Sequence, residues 1–459
     1  MNRIFVLIAL VVTSNAFAGI EQAPPNFPYK EGQAIFVDFD RASYRLVYDL
    51  KAKTVVVESQ IDFEAPVNGY PIFDLVANPT NVQLDDQPTI APEISDPDSI
   101  SRFRVLGVSV SPGRHRLTLS HVLSKNVTYR DGGVASAFWM SDLDDRQYLE
   151  QYLPSNFEFD SYAMTMRIEI QSSPTVAHEL RANGAVKVLA SNLFEVEFPS
   201  FYTASSVFFH LLPKGSIPST AFNFKSVDGR SLPVEIYSRS NLDPYVTEVK
   251  KVLVELEKDY GAFPHAKVVV YGAGSGGMEY SGATMTELFA VGHELFHSYN
   301  ARAVMPAQGN SGWIDEAMSS WRDHNYRTRS GPGATTKMAG HSVWTRMTDD
   351  DAYTKGAAFL EWVAGRMAEK GKDFKVFLRE YFKANFYQTM TTPQLKVAME
   401  SFSGLDLGAD FDRYVYGKVR GGTAPRGSTW GRKKLELNRT PVENPFHKRL
   451  TDEQLKQLL

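Results

Sequence analysis

The stretch His293-Glu-Leu-Phe-His297, followed after eighteen intervening residues by Glu316, is the strongest indication of the fold and chemistry of this chain. Two histidines four apart on a helix point the same way, because four residues make about 400° of turn. Their imidazoles can bind one Zn²⁺, and Glu294 between them can take a proton from water at the metal. Glu316, in a second helical segment, can complete a His/His/Glu set that leaves one zinc position open. The pattern predicts a zinc hydrolase, and among these a peptidase.

Composition narrows the class of protein and the kind of metal ligand. A chain of 459 residues predicts more than one domain. Its net charge of −4 gives no electrostatic case for binding nucleic acid. The sequence contains no cysteine, so a metal must be held by His, Asp or Glu, and thiol catalysis is excluded.

The first eighteen residues have the pattern of a secretory signal peptide. Arg3 gives a positive start, Ile4–Thr13 is apolar, and Ala16-Phe-Ala18 forms a small-residue cleavage site. The apolar run is too short to span a bilayer. We therefore expect a bacterial protein that is periplasmic or secreted, with no membrane span after residues 1–18 are removed.

The remaining chain is expected to be a multidomain α+β protein. Residues 19–235 contain short alternating runs rich in Val, Ile, Tyr, Phe and Thr, which predict a β-rich, sandwich-like N-terminal domain. Residues 236–420 mix strands with helical spacing and predict a catalytic domain with a helical C-terminal half. The motif helix is expected from about residue 286 to 301, and the helix of Glu316 from about 314 to 329. Residues 421–459 form a basic tail, which we expect to lie on the surface or to fray.

A glycine run, Gly272-Ala-Gly-Ser-Gly-Gly277, has the spacing of a dinucleotide fingerprint. That site also requires a helix to open at the last glycine, but Met278 to Gly282 has an extended pattern instead. The nucleotide interpretation is therefore rejected. Gly276 and Gly277 are expected to let the backbone approach a bound peptide closely.

Several motifs together resemble a known group of zinc peptidases. The histidine motif with Glu316 resembles the aminopeptidase-N family of gluzincins, as do Gly276-Gly-Met-Glu-Tyr280 and Tyr353-Thr-Lys-Gly-Ala357. The run from His297 through Asn300 and Arg302 to Pro306 is similar to one in the glycyl-aminopeptidase family. The resemblance implies a thermolysin-like catalytic domain behind a β-rich domain.

The resemblance also implies a role for each matching residue. His293, His297 and Glu316 would bind one Zn²⁺ per chain, with Glu294 as general base and then acid. Tyr353 would donate a hydrogen bond to the oxyanion, and Glu279 would hold the free α-amino group of a peptide substrate. Gly276 and Gly277 would contact the same peptide.

Two features of the sequence keep other functions open. Glu279 lies only fourteen residues before His293, which is a shorter spacing than the resemblance implies, and Tyr280 stands in place of the usual Asn. An endopeptidase with the same zinc site is one alternative to an aminopeptidase. A non-catalytic peptide-binding protein that keeps the fold is another. The oligomeric state stays open.

Overall fold

The structure is a computed structural model that describes residues 20–418 and 450–459. The predicted signal peptide and residues 421–449 of the predicted tail lie outside these ranges. Within the described residues, we find no helix that is both long and apolar enough to cross a membrane.

The first part of the chain is β-rich, as the alternating pattern predicts. The structure places seventeen strands between Phe27 and Pro213. They form a five-stranded sheet in the order β1-β2-β5-β9-β8, an eight-stranded sheet in the order β15-β16-β13-β3-β4-β10-β6-β7, and a four-stranded sheet in the order β11-β12-β17-β14. The strands are β1 (Phe27–Tyr29), β2 (Gly32–Ile35), β3 (Asp38–Asp49), β4 (Thr54–Ala65), β5 (Tyr70–Phe73), β6 (Thr80–Leu84), β7 (Gln87–Pro88), β8 (Glu93–Ser95), β9 (Arg102–Val105), β10 (Gly113–Val122), β11 (Val127–Arg130), β12 (Gly133–Ala137), β13 (Ala163–Gln171), β14 (His178–Ala182), β15 (Ala185–Ala190), β16 (Leu193–Phe198) and β17 (Phe209–Pro213).

The long central strands explain why one face of the eight-stranded sheet is buried. β3 and β4 pair antiparallel along their length, and side chains alternate between the two faces with a period of two residues. Tyr44, Leu46 and Tyr48 are buried on the inner face. On the outer face Arg45 bonds to Glu58 and to Glu169, each at 2.9 Å. If the pairing of these strands shifted by one residue, the apolar and the charged side chains would exchange faces. The alternating pattern therefore specifies the register of the pairing.

A second, mixed sheet begins the catalytic part. Its order is β18-β19-β20-β22-β21, and β19, β20 and β22 run parallel. Residue 235 lies inside β19, so the domain boundary expected there falls within this sheet, whose first strand starts at Ser219. The pattern of short strands does not reveal which sheet a strand joins. The strands are β18 (Ser219–Lys225), β19 (Ser231–Ser238), β20 (Val268–Gly272), β21 (Gly277–Tyr280) and β22 (Ala283–Thr286).

Helix α1 (Leu242–Tyr260) is the crossover between β19 and β20. The Asn241 side chain caps it by accepting a hydrogen bond from the Asp243 amide at 3.1 Å. Val249, Leu253 and Leu256 occupy one face of the helix and are buried. The crossover helix therefore covers the sheet on which the site is built.

The rest of the catalytic part is mostly helical. The motif helix starts at Val291 rather than near residue 286, because residues 283–286 form β22. The helix of Glu316 starts at Gly309 and ends at Asp323, so Glu316 lies at its centre rather than near its start. The elements are α2 (Val291–Asn300), β23 (Val304–Pro306), α3 (Gly309–Asp323), α4 (Ala357–Glu369), α5 (Phe374–Asn385), β24 (Gln388–Met390), α6 (Thr392–Ser403), α7 (Gly408–Tyr414) and α8 (Asp452–Leu458).

The last ten residues pack where the two parts of the chain meet. Leu458 and Leu459 are buried at the end of α8. The Tyr271 hydroxyl donates to the carbonyl of Leu458 at 2.9 Å, and the Arg130 guanidinium donates to Leu459 at 2.7 Å. This end of the tail is therefore anchored to both parts rather than frayed.

Candidate metal centre

The three predicted ligands meet in the interior of the catalytic part. His293 and His297 lie one turn apart on α2, and Glu316 faces them from α3. The Nε2 atoms of His293 and His297 are 3.2 and 3.6 Å from Glu316 Oε2. All three side chains are buried, so this polar cluster requires a compensating partner.

The other ring nitrogens of both histidines are held by neighbours on α3. His293 Nδ1 lies 2.6 Å from Asp323 Oδ2, and His297 Nδ1 lies 3.3 Å from Ser319 Oγ. Such partners fix the ring orientation and direct each Nε2 toward the metal position. Asp323 and Ser319 were not among the residues predicted from the sequence. Their spacing of seven and three residues after Glu316 places them on the same helix face and could have revealed them.

The local electrostatics favour a positive charge between these groups. Burial alone would lower the pKa of His293, but the carboxylates of Asp323 and Glu316 outweigh it and raise that pKa well above its ordinary value. The donor atoms of His293, His297 and Glu316 lie within 4.8 Å of one another. A compact, buried set of two imidazoles and one carboxylate fits Zn²⁺.

Glu294 lies beside the ligand set, as the motif predicts. Its side chain is fully buried, and a carboxylate oxygen lies within 4.8 Å of donor atoms of His297 and Glu279. Because Glu294 lies next to His293 in sequence on α2, the same turn that presents the ligand also presents this carboxylate.

Tyr353 reaches the same site from a different element. It lies in a π-helical turn, residues 352–356, just before α4, and such turns are frequent at functional sites. Burial raises the pKa of the Tyr353 phenol well above its ordinary value, and Glu316 and Asp142 add to the effect. The phenol therefore keeps its proton at neutral pH and can act as a hydrogen-bond donor.

Glu279 is brought to the site by β21, and its side chain has a partner that the sequence motif does not predict. The carboxylate is fully buried and forms a close ion pair with the Arg302 guanidinium. Arg302 Nε also donates to the Glu279 carbonyl at 3.3 Å. Of the two predicted glycines, Gly277 opens β21, and Gly276 precedes it with φ of +70°, a conformation that favours glycine.

Two further carboxylates complete the surroundings of the ligands. Asp315 lies next to Glu316 on α3, and Asp142 comes from the N-terminal part; both are buried. Their carboxylate oxygens and one of Glu316 lie within 4.8 Å of one another. Burial raises the pKa of Asp315 well above its ordinary range, with Glu316, Glu279 and Asp142 adding to it. The adjacent position of Asp315 is a signal in the sequence, whereas nothing in the sequence connects Asp142 with this site.

Comparison with solved structures identifies the fold. The sequence matches no family model, and no curated protein matches it significantly. An M1 zinc metallopeptidase from Deinococcus radiodurans aligns with 84% of this chain and 96% of its own, at 15% identity and a TM-score of 0.60. Yeast LTA4 hydrolase in complex with bestatin aligns with 85% of this chain and 69% of its own, at 13% identity and a TM-score of 0.61.

A third solved structure shows the same likeness. Legionella pneumophila aminopeptidase A in complex with aspartic acid aligns with 82% of this chain and 49% of its own, at 14% identity and a TM-score of 0.58. The β-rich first part and the α+β second part follow one another as in the two-domain proteins of this group. The predicted fold class is confirmed: the chain has the fold of the M1 zinc metallopeptidases.

Proposed function

We propose that this protein is a zinc-dependent aminopeptidase, which removes N-terminal residues from peptides by hydrolysis. The observation that carries the proposal is the buried His293, His297 and Glu316 cluster, with Glu294 and Tyr353 converging on it. A protein that only bound peptides would need neither a general base nor a hydrogen-bond donor at a metal site. The zinc peptidase fold supports the same conclusion.

The positions of the donor atoms indicate which residues would bind the metal. His293, His297 and Glu316 would hold one Zn²⁺, oriented by Asp323 and Ser319. When bound, zinc supplies a Lewis acid that polarises the scissile carbonyl and lowers the pKa of water.

The remaining residues move protons and stabilise charge. Glu294 takes a proton from the attacking water as the new C–O bond forms, and passes it to the leaving amine nitrogen as the C–N bond breaks. Tyr353 donates to the carbonyl oxygen where negative charge develops. Each water consumed therefore yields one free carboxylate and one free amine.

Recognition of the N-terminus is assigned to the segment of Glu279. A buried carboxylate close to Glu294 and His297 lies where an α-ammonium next to the scissile bond could pair with it. Gly276 and Gly277 would let the peptide backbone approach this segment. One solved relative, a mutant M1 zinc metallopeptidase from Deinococcus radiodurans, is bound to a Tyr-Ser-Ala substrate, and others hold single amino acids. These ligands support recognition of short peptides here.

The proposed location is periplasmic or secreted, supported by the signal-peptide pattern of residues 1–18. The proposed catalytic domain covers residues 236–420, together with the strands of its sheet that begin at Ser219.

The function is tested by hydrolysis of a panel of aminoacyl-coumarin substrates, with zinc content measured by elemental analysis. We expect one zinc per chain, loss of activity with a chelator, and recovery with added zinc. N-acetylated peptides should be cleaved far more slowly than free ones. Equal cleavage of both would favour the endopeptidase alternative. Protein without zinc and without activity would favour the peptide-binding alternative.

Replacing Tyr353 by Phe is expected to lower kcat by about 10²- to 10³-fold, because one donor to the oxyanion is lost. Zinc content should be unchanged. Tyr381→Phe is a matched control: Tyr381 is also buried, and its hydroxyl has no hydrogen-bond partner within the described residues. Similar kinetics for both variants would contradict the role of Tyr353.

A further inference from the structure

A long irregular loop, residues 324–351, joins α3 to the turn that carries Tyr353. Loops of this length inside a compact protein are usually functional. Its last part, residues 344–348, contacts both parts of the chain, and we refer to it as the anchor segment. Tyr353 follows this segment after four intervening residues.

Trp344 holds the start of the anchor segment in the core of the N-terminal part. Its side chain is only 3% exposed. Its ring stacks on the rings of Phe36 and Phe103, with centroid distances of 6.0 and 5.8 Å, and meets the ring of Phe27 edge-on at 5.6 Å. A buried tryptophan with three aromatic neighbours is a large packing contact, so the segment has one preferred position there.

Arg346 and Thr348 add polar contacts to the same N-terminal part. The Arg346 guanidinium lies 2.6 Å from an oxygen of Asp74 and 3.2 Å from one of Glu158. The Thr348 amide donates to the backbone carbonyl of Asp142 at 2.8 Å. Every second residue of the anchor segment therefore contacts the N-terminal part.

The first turn of α3 packs against the anchor segment. The Gly309 amide donates to the Thr345 carbonyl at 3.1 Å. A Cβ at Gly309 would lie 2.6 Å from the carbonyl oxygens of Thr345 and Met347, and a Cβ at Gly312 would lie 2.2 Å from Thr348 Oγ1. The segment can approach α3 this closely because glycine stands at both helix positions.

The residues after the anchor segment pass its position on to Tyr353. The Asp349 carboxylate accepts from the Asp351 amide at 2.8 Å, and the Asp349 carbonyl accepts from the Ala352 amide at 2.9 Å. The other carboxylate oxygen of Asp349 lies 2.6 Å from His341 Nε2. A short hydrogen-bonded path thus connects the N-terminal part with Tyr353, and contiguous contacts of this kind can carry a displacement from one end to the other.

We propose that the anchor segment positions the Tyr353 phenol for stabilisation of the oxyanion, with Trp344 and Arg346 as positioning residues. This inference rests on the proposed aminopeptidase function. Both residues act through the backbone of the loop. A hydrogen bond to a developing charge depends steeply on geometry, and a displacement of about 1 Å can cost about 10²-fold in rate. The N-terminal part thereby influences the rate of the chemical step.

Two variants displace the anchor segment while Tyr353 itself is unchanged. Trp344→Leu removes the ring from the N-terminal core, and Gly309→Ala adds a methyl group that meets the backbone of the segment. With alanyl-coumarin, each should lower kcat about tenfold to hundredfold and change KM less than about twofold, because only a transition-state contact is lost. Zinc content should be unchanged. Trp344→Phe, which keeps an aromatic ring, should recover most of kcat.

A double-mutant cycle separates positioning of the phenol from general loss of structure. In the Tyr353→Phe background the hydroxyl to be positioned is absent. Trp344→Leu and Gly309→Ala should then change kcat less than about twofold. An equal fold-loss in both backgrounds would overturn the proposal, and so would an unchanged kcat for both variants of the wild-type chain. If Trp344→Leu does not fold, Gly309→Ala decides.

Matched controls come from the same loop and the same core. Gly331 also lies in the loop, and among the described residues no heavy atom lies within 4 Å of a Cβ added there, so Gly331→Ala should keep kcat. Phe159 is buried in the same aromatic core as Trp344 but belongs to the N-terminal part. Phe159→Leu should lower the unfolding temperature and keep kcat. A loss of kcat as large as that of Trp344→Leu would contradict the proposal.

Binding of a transition-state analogue gives a readout that does not need turnover. A dipeptide analogue with a phosphinate in place of the scissile amide carries anionic oxygens where charge develops during hydrolysis. Calorimetric titration of zinc-loaded protein should show about tenfold weaker binding to Trp344→Leu than to the wild type, and no such difference in the Tyr353→Phe background. Equal Kd values for Trp344→Leu and the wild type would overturn the proposal. Lack of hydrolysis by the wild type would refute the aminopeptidase function, while this titration would still test the anchor segment.

Discussion

Replacing Glu294 by Gln is expected to lower kcat by about 10³- to 10⁴-fold while leaving zinc bound. The amide has nearly the same shape but cannot accept a proton from water or return one to the leaving amine. The candidate ligands His293, His297 and Glu316 are untouched, and Glu294 itself is not one of the three. Kinetics on an aminoacyl-coumarin substrate, with zinc measured on the same sample, checks the result.

A control separates lost chemistry from lost packing. Glu257 is also a buried helical glutamate, but it lies on α1, where it accepts hydrogen bonds from Ser226 and from two backbone amides. Glu257→Gln is expected to affect stability more than kcat. Activity of Glu294→Gln near the wild-type level would rule out the proposed proton transfer.

Replacing Arg346 by Met is expected to lower the free energy of unfolding by about 3–5 kcal/mol. Arg346 belongs to the loop before Tyr353 but inserts into the N-terminal part. Its guanidinium is 2.6 Å from Asp74, 3.2 Å from Glu158 and 3.4 Å from Glu150, and it stacks on a phenylalanine ring. Methionine fills part of the volume but leaves buried carboxylates without this cation.

The loss should grow as the pH rises. Burial raises the pKa of Glu150 to about 7, although Arg346 opposes the shift. Since this pKa lies above its value in the unfolded chain, ionising Glu150 weakens folding as the pH rises from about 4.5 through 7. Without Arg346 the penalty is larger, so Arg346→Met should cost more at pH 8 than at pH 5.

Arg366→Met provides the matched control for urea unfolding. Arg366 pairs with Asp410 at 2.6 Å, but both side chains are partly exposed. Such a pair contributes about 1 kcal/mol or less, with little change across the same pH range. If the two variants lost equal stability, the buried cluster around Arg346 would not be a major contact between the two parts of the chain.

Local patterns were sufficient to predict the candidate metal ligands and the presence of the helices, although not the first residues of α2 and α3. The histidine spacing is a property of a single helix, and three independent side chains indicated the same chemistry before any contact was known. Helix α5 begins at Phe374 and ends at Asn385, with buried apolar residues along one face and Asp373 as its cap. Such features depend on neighbours within a few residues, so the sequence carries them directly.

Features that depend on packing between distant parts of the chain could not be predicted from local sequence patterns. The pairing of β19 with β20 joins segments separated by α1, and the alternation of strand residues does not specify that partner. Likewise, the glycine and histidine motifs place Glu279 near the site but do not reveal that Arg302 pairs with it.

The sequence by itself thus determined the candidate zinc ligands, the proposed general base and the phenol, because each lies in a short motif whose spacing encodes its direction. The tertiary structure alone decided that Asp142 joins the site from another part of the chain, and that Arg302 meets Glu279. These placements arise from packing two large units against each other. The motif can be recognised from its spacing alone, whereas contacts between segments far apart in the sequence cannot.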